Sequence, residues 1–322
     1  MGRYLLTRLA FALLLVFVVS SAALLLTRIA PGDYVTITLG VDGSSQQRDQ
    51  LRKTLGLDRS FAAQYASWLG GVVRFDFGQS MLYSRPVSGL VGERALNTAV
   101  LATMALLFAT MIGIPLGIYS GTTHGVGRAI VRVISVLGVS VPPLIGSLAL
   151  VFVAARTGWF PVGGMTSSTG IDVTWAQWIA DLARHLPLPA LALAIPMAAS
   201  LERLQSEAIA SALHERFVTA SRARGVDRVR SILRHAWPVS LRPVLALYGV
   251  MIGTLFSGSF VVEVVTSWPG LGRLMFDALK ARDLFLVAGC AATGAVFLAA
   301  GTLITDLLIA YTDPRVRSGE RA

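Results

Sequence analysis

The chain has 322 residues, of which 54% are hydrophobic and only 14% are charged, with a mean hydropathy of +0.65. This balance lies well outside that of soluble domains and excludes an ordinary soluble protein. The formal charge of +10 is better explained by membrane topology than by nucleic acid binding, and the single cysteine, Cys290, excludes an internal disulfide.

Six apolar runs are candidates for helices that cross a bilayer. Crossing a hydrocarbon core of about 30 Å takes about 20 mostly apolar residues. The fourth run is short and contains three prolines, so we expect it to leave the membrane through residues 202–204. The sequence therefore predicts an all-α integral membrane protein with spans at 9–26, 95–123, 133–155, 186–201, 243–262 and 284–305.

The positions of the arginines predict the orientation of these spans. Basic residues concentrate on the inner side of membrane proteins. If the amino terminus is inside, eight arginines between Arg203 and Arg242 lie in one inner loop, and both termini are cytoplasmic. The basic start and the small residues at 20–22 also fit a signal peptide. However, the apolar run continues to Leu26, so we expect an uncleaved first helix.

The outer segments contain shorter helical patterns. Before the second span, "LRKTLGLD" and "QYASWLGGVV" predict short helices, and Tyr65 and Trp68 are expected at the membrane surface. Trp175, Trp178 and Ile179 in the second outer loop favour either an interfacial helix or a packed loop. The predicted parts are a transmembrane helix (1–26), an extracytoplasmic segment (27–94), a core of five spans (95–312) with an inner loop at 202–242, and a cytoplasmic tail (313–322).

Small residues recur every four positions in two spans. In membranes this spacing lets helix backbones approach closely. The pattern predicts close helix packing, either within this chain or against a partner, at Gly113, Gly117, Gly121, Gly249, Gly253 and Ser257.

Catalytic motifs are absent from the sequence. His214 begins an H-E-x-x-H pattern, but Val218 occupies the place of the second histidine. Neither Lys53 nor Lys280 follows a glycine, so the chain contains no P-loop for ATP. Asp306, at the inner end of the last predicted helix, is the only acidic candidate for an ion site, and this position argues against an ion-coupled carrier.

The stretch from His214 to Pro238, here called the arginine-rich loop, is predicted to form a helix, a glycine turn and a second helix. The apolar face of the first helix is expected at Leu213, Phe217 and Ala220, and Gly225 is expected to end it in a left-handed conformation. Asp227 is expected to cap the second helix, which would end at Pro238 and carry its apolar face at Val229, Ile232, Leu233 and Ala236. The residues alone leave open a solvated loop, a site for anionic lipids or a docking site for a cytoplasmic partner.

The stretch "FVTASRARGVDRVRSILRHAWP" resembles the EAA loop of ABC transporter permeases, which contacts the ATPase subunit. Thr219, Ala220 and Ser221 occupy the E-A-A place, Gly225 follows after three intervening residues, and the segment from His235 to Pro238 falls where I-x-L-P is expected. Both ends depart from the general consensus. They are similar to the dipeptide and oligopeptide subfamily, whose loops read like "YVRTARAKG" followed by "RHAL".

The resemblance covers nearly the whole chain, through "RYLLTRLAFALLLVF", "RIAPGD", "FDFGQS", "RPVSGLV", "VVEVVTSWPGLGRL", "ALKARD" and "DPRVR". It implies a type I ABC importer permease of the bacterial inner membrane that carries peptides. The implied partners are a second related permease, two cytoplasmic ATPase subunits or one fused ATPase, and an extracytoplasmic solute-binding protein. ATP and Mg²⁺ would bind the ATPase subunits, so this chain would have no cofactor and no enzymatic activity of its own.

The resemblance also implies two sets of site residues. The residues expected to couple the chain to the ATPase are Phe217, Thr219, Ala220, Ser221, Arg222, Arg224, Gly225, His235 and Pro238. The outer turn "SWPGLG" is either a gate or binding-protein contact, at Trp268, Pro269, Gly270 and Gly272, or an ordinary ordered loop. Met251, Phe256 and Val262 are expected to present an apolar wall to the transport pathway. Nickel, glutathione or haem remain alternative cargoes, and an ion-coupled carrier remains the alternative class.

Overall fold

The computed structural model describes residues 2–40, 44–72, 74, 76–167 and 174–312. In these ranges every regular element is helical, and one isolated antiparallel bridge joins Gln79 to Pro86. The helices are α1 (Gly2–Ile29), α2 (Tyr34–Leu39), α3 (Ser45–Thr54), α4 (Phe61–Val72), α5 (Val87–Thr122), α6 (Val126–Ser140), α7 (Pro143–Thr157), α8 (Trp175–His185), α9 (Pro187–Ala212), α10 (Arg216–Ala223), α11 (Arg228–Ser231), a π-helical turn (Ile232–Ala236), α12 (Trp237–Val265), α13 (Leu271–Ala281) and α14 (Leu284–Thr312).

Four helical stretches in the described residues are long and apolar enough to cross a membrane without a break. They cover Leu6–Ile29, Val87–Thr122, Arg228–Leu255 and Leu284–Asp306. Two bent helix pairs, α6 with α7 and α8 with α9, raise the number to six if each pair forms one span. The prediction of an all-α membrane protein is confirmed, and the predicted tail at 313–322 lies outside the described residues.

The third predicted span, at 133–155, is not one continuous helix. α6 and α7 meet at an angle of 106°. Val141 is extended, with φ −86° and ψ 112°, and Pro142 follows at φ −60° and ψ 145°. The cause is the Pro142–Pro143 pair, because proline removes a backbone donor and disfavours the helical conformation of the residue before it.

The fourth predicted span also has different limits. α9 continues eleven residues beyond Leu201 to Ala212, and Pro196 does not interrupt it. Pro187 and Pro189 lie in its first turn, where the backbone donors have no intrahelical partner in any case. Proline inside a membrane helix is tolerated where neighbouring groups compensate for the lost hydrogen bond. Residues 202–204, where the span was expected to leave the membrane, are therefore part of one continuous helix.

The chain divides into two compact units that cut across the predicted parts. One unit comprises Met1–Ala99 and Pro269–Ala299, and the other comprises Val100–Trp268 and the chain from Ala300 onward. In the first unit Trp68 is only 4% exposed and packs with Leu24 and Ala288. The Tyr65 hydroxyl lies 2.8 Å from the hydroxyl of Ser21 on α1. The ring of Trp68 is thus covered by α1 and α14 within the chain, and its position at the membrane surface stays a prediction.

The second unit is organised around α9. This helix packs against α6, α7 and α12, and its buried residues form one apolar core with residues of α5 and α12. Fifteen of the 26 residues of α9 are buried, which makes it a central helix and not a lipid-facing one. The arginine-rich loop continues directly from its carboxyl end.

Candidate functional site

The first half of the arginine-rich loop folds as its sequence predicts. α10 runs from Arg216 to Ala223, and Gly225 follows with φ +87°. The amide of Gly225 donates to the carbonyl of Arg222 at 3.0 Å, and the amide of Val226 donates to the carbonyl of Ser221 at 3.3 Å. Asp227 then caps α11 by accepting a hydrogen bond of 3.0 Å from the amide of Val229. Glycine suits this turn because a side chain at positive φ is strained.

The prediction that the second helix ends at Pro238 is wrong. α11 continues through the π-helical turn into α12, and Pro238 lies in the first turn of α12. The amide of Trp237 bonds the carbonyl of Ile232, five residues back. Such a wide turn shifts the backbone hydrogen bonds by one residue just before Pro238. Proline has no backbone N–H and therefore could not donate the next α-helical hydrogen bond. The second half of the loop is therefore a helical extension of α12.

The buried faces of the loop differ from the predicted ones. Val218, Ile232 and Ala236 are buried in a cluster with Ile209 and Ala212 of α9. By contrast, the loop leaves three large apolar side chains exposed, with exposed fractions of 45% for Phe217, 61% for Val229 and 49% for Leu233. The predicted faces are thus only partly correct, because packing on α9 selects different positions from those that helical spacing groups together. The exposed apolar side chains remain available for another protein.

The expected coupling residues occupy different environments. Ser221 is buried, so its side chain packs inside the loop, and His235 is half-buried. The exposed members are Phe217, Thr219, Ala220, Arg222, Arg224, Gly225 and Pro238. The loop therefore exposes apolar and cationic side chains together on a backbone fixed by α9.

Comparisons with known proteins identify the family of the chain. A family model described as "Binding-protein-dependent transport system inner membrane component" matches residues 113–318, and the corresponding amino-terminal model matches residues 1–109. The chain belongs to this family of inner membrane components. A similar protein is the oligopeptide transport system permease protein AppB of Bacillus subtilis, 32% identical over 98% of this chain and 99% of AppB.

Further relatives also match this chain over nearly its whole length. A putative peptide permease protein of Brucella ovis is 32% identical over 98% of this chain and 99% of its own length. A probable peptide ABC transporter permease protein of Sinorhizobium fredii is 30% identical over 98% of this chain and 100% of its own length. The chain is thus a multi-pass inner membrane permease subunit.

The glycines of α5 place this permease helix directly against α9. A Cβ atom added at Gly113 would lie 2.6 Å from the carbonyl oxygen of Ala198, and one at Gly117 would lie 2.6 Å from Cβ of Gln205. A Cβ atom at Gly121 would lie 2.5 Å from the carbonyl oxygen of Ser206. All three glycines therefore face a helix of the same chain.

The small residues of α12 are packed less uniformly than those of α5. A Cβ atom at Gly249 would lie 2.8 Å from Cγ2 of Thr305 on α14. Gly253 is half-buried, and Ser257 is exposed. Ser257 thus lies outside the packed part of this helix in the single chain.

A buried polar cluster beside these glycines was missed from the sequence. Ser120 donates a hydrogen bond to Oε1 of Glu202, and Nε2 of Gln205 donates one of 2.8 Å to the hydroxyl of Ser240. All four side chains are at most 2% exposed. Polar residues at positions 202, 205 and 206 of an otherwise apolar helix were the available signal. The cluster joins α5, α9 and α12 near the loop.

The outer turn from Ser267 to Gly272 is fixed by its burial and by hydrogen bonds from other residues of the chain. Trp268 is fully buried, Gly270 and Gly272 are buried, and Pro269 is half-buried. The carbonyl of Pro269 accepts a hydrogen bond of 2.8 Å from the amide group of Asn97 and one of 3.2 Å from Arg94. These contacts favour the ordered-loop interpretation over a contact made by the Trp268 side chain.

One cavity lies along the predicted pathway. It has a volume of about 240 Å³ between α9 and α12, with Pro143 at the start of α7. Met251 lines it together with Met197, Ser200 and Thr254. Val262 is buried elsewhere in the same core, and the side chain of Phe256 lies outside the described residues.

Proposed function

We propose that this chain forms, with a second related permease, the pathway of an ATP-driven importer for di- or oligopeptides. Two cytoplasmic ATPase subunits, or one fused ATPase, would supply the energy, and an extracytoplasmic solute-binding protein would deliver the cargo. ATP and Mg²⁺ would bind the ATPase subunits, because the sequence of this chain has no P-loop.

The observation that carries the proposal is the combination of exposed and anchored residues in the arginine-rich loop. Phe217, Val229 and Leu233 are exposed beside arginines, whereas Val218 and Ile232 anchor the loop to α9. A partner can bury the apolar side chains at the centre of an interface while the arginines contribute at its rim. Displacement of such a rigidly attached loop would move the carboxyl end of α9 with it.

The peptide cargo rests on the relatives and on the cavity. The three relatives named above are called oligopeptide or peptide permeases. The cavity between α9 and α12 has apolar walls with hydroxyl groups at Ser200 and Thr254. Flexible methionine side chains, here Met197 and Met251, adapt to ligands of different shape. Such a lining suits a range of peptide side chains better than a dedicated metal or haem site.

Co-purification in a mild detergent tests the docking role. The chain is expressed with its neighbouring genes as wild type, as Phe217→Asp, and as a His124→Asp control at an exposed position outside the loop. We expect an ATPase to co-purify with the wild type and the control but not with Phe217→Asp, because a carboxylate would be buried in the apolar contact. If no ATPase co-purifies with any form, the lipid-binding loop and the ion-coupled carrier become the better explanations.

Uptake measurements separate the possible cargoes. Proteoliposomes that contain the complex and its binding protein are offered alanine peptides of two to five residues, nickel, glutathione or haem. ATP-dependent uptake of the peptides alone is expected. Uptake of one of the other compounds in their place would keep the permease role and replace the cargo.

A further inference from the structure

A single arginine attaches the second half of the loop to the end of α5. Nη2 of Arg228 donates a hydrogen bond of 2.6 Å to the backbone carbonyl of Thr122, the last residue of α5. Carbonyls in the last turn of a helix lack an intrahelical partner, and a cation there also interacts favourably with the helix dipole. The bond therefore joins segments that are 106 residues apart in the chain.

The apolar anchors of the loop connect mainly to a different helix. The fully buried members of the loop cluster come from the loop itself and from Ile209 and Ala212 of α9. α5 contributes Ile118, which is only partly buried against this cluster. Arg228 thus provides a polar attachment to α5 in addition to the apolar attachment to α9.

Arg228 also occupies the position through which movement of α10 would pass. It is the first residue of α11 and directly follows the helix cap at Asp227 and the turn at Gly225. Only the four residues 224–227 separate it from the end of α10. Because the turn is short and hydrogen-bonded, a displacement of α10 would move the Arg228 guanidinium by nearly the same distance.

We propose that Arg228 is a positioning residue that makes α5 follow the displacement of the arginine-rich loop. This inference rests on the proposed function, because the displacement presupposes docked ATPase subunits. Without the bond the ATPase would still dock and hydrolyse ATP. However, α5 would follow the loop less closely, and less cargo would cross for each ATP hydrolysed.

The attachment itself can be tested without ATPase or cargo. Spin labels at His124→Cys and Ala223→Cys, both exposed positions, report the distance between the end of α5 and α10 in a Cys290→Ala background. In lipid nanodiscs we expect one narrow distance distribution for this parent. Arg228→Ala should broaden it, whereas Arg230→Ala, at an exposed arginine of the same short helix, should not. An unchanged distribution in Arg228→Ala would overturn the inference.

The consequence for transport is tested in proteoliposomes that contain the co-purified ATPase and binding protein. The ratio of alanine peptide uptake to ATP hydrolysis should fall about tenfold in Arg228→Ala, a change equivalent to about 1.4 kcal/mol and close to the contribution of one hydrogen bond to a charged group. Arg228→Lys should restore part of the ratio, since it keeps the charge. Arg132→Ala, at an exposed arginine of α6 outside the loop, should match the wild type.

The remaining outcomes separate this inference from the proposed function. A wild-type ratio in Arg228→Ala would contradict the positioning role alone. Loss of the ATPase from Arg228→Ala would also contradict it, because the residue would then be a docking contact. If the wild-type complex contains no ATPase, the proposed function fails. If wild-type uptake of alanine peptides is absent, the peptide cargo fails. In both cases the spin-label distances decide whether Arg228 holds α5.

Discussion

The hydroxyl of Ser80 donates a hydrogen bond of 2.7 Å to Oδ2 of Asp283, across 203 positions of the chain. The same carboxylate accepts hydrogen bonds from the amides of Leu82, at 3.0 Å, and Leu286, at 3.1 Å. Asp283 is fully buried just before α14, and Ser80 is 2% exposed. One carboxylate thus fixes the segment before α5 to the start of α14 within the first unit.

Replacing Asp283 should therefore destabilise the first unit. Asp283→Ala leaves a buried hydroxyl and two amides without their acceptor, which we expect to lower the free energy of unfolding by about 3 kcal/mol. Thermal unfolding in detergent measures the change, and Asp58→Ala at an exposed position serves as control. Equal midpoints for the two variants would contradict the role of Asp283.

The ion pair between Asp33 and Arg52 predicts acid sensitivity of the outer segment. Burial alone would raise the pKa of Asp33, but hydrogen bonds from Arg52 and Thr36 and the charge of Arg52 lower it to about 2, from 3.8. A carboxyl group with a lowered pKa in the folded state stabilises fully above pH 3.8, and this contribution disappears as the pH falls towards 2. Unfolding midpoints between pH 5 and pH 2 should fall less steeply in Asp33→Asn than in the wild type. Parallel profiles would contradict the prediction.

Two glycines of α5 give a matched test of helix packing. Gly117→Ala would place Cβ 2.8 Å from the carbonyl oxygen of Glu202, and such overpacking should cost about 1–3 kcal/mol of unfolding free energy. Gly92→Ala in the same helix meets open space and should be neutral or slightly stabilising. Thermal unfolding of both variants in detergent provides the comparison. A neutral Gly117→Ala would show that α5 and α9 are less tightly packed than the distances indicate.

The conformation of Gly225 predicts an effect on coupling rather than on membrane insertion. Gly225→Val would force a β-branched residue to φ +87°, which costs on the order of 1–2 kcal/mol and should distort the turn. The variant should insert normally, and uptake should be uncoupled from ATP hydrolysis. Ala223→Val, at an exposed helical position, is the control. Normal coupled uptake in Gly225→Val would mean that the turn does not need glycine.

The predicted orientation has a direct chemical test. Ser44, the exposed cap of α3, should lie outside the cell if both termini are cytoplasmic. In a Cys290→Ala background, Ser44→Cys should therefore react with a membrane-impermeant thiol reagent. The reagent is applied to cells with an intact inner membrane and, where there is an outer membrane, with that membrane permeabilised. Labelling only after lysis would invert the topology.

The sequence by itself determined the features that depend on local pattern. Long apolar runs predicted the membrane helices, because a helix satisfies its own backbone hydrogen bonds in lipid. The order of Gly225 and Asp227 predicted a turn followed by a capped helix, since both effects involve residues within a few positions. The resemblance carried by the same loop led to the correct family.

The tertiary structure decided which faces are buried and which distant residues meet. Helical spacing grouped Phe217 with Leu213, yet packing on α9 buries Val218 and leaves Phe217 exposed. The bonds of Arg228 to Thr122 and of Ser80 to Asp283 have no local signature. They form because the packing of helices far apart in sequence brings donors and acceptors together, and a local pattern contains no information about that distance.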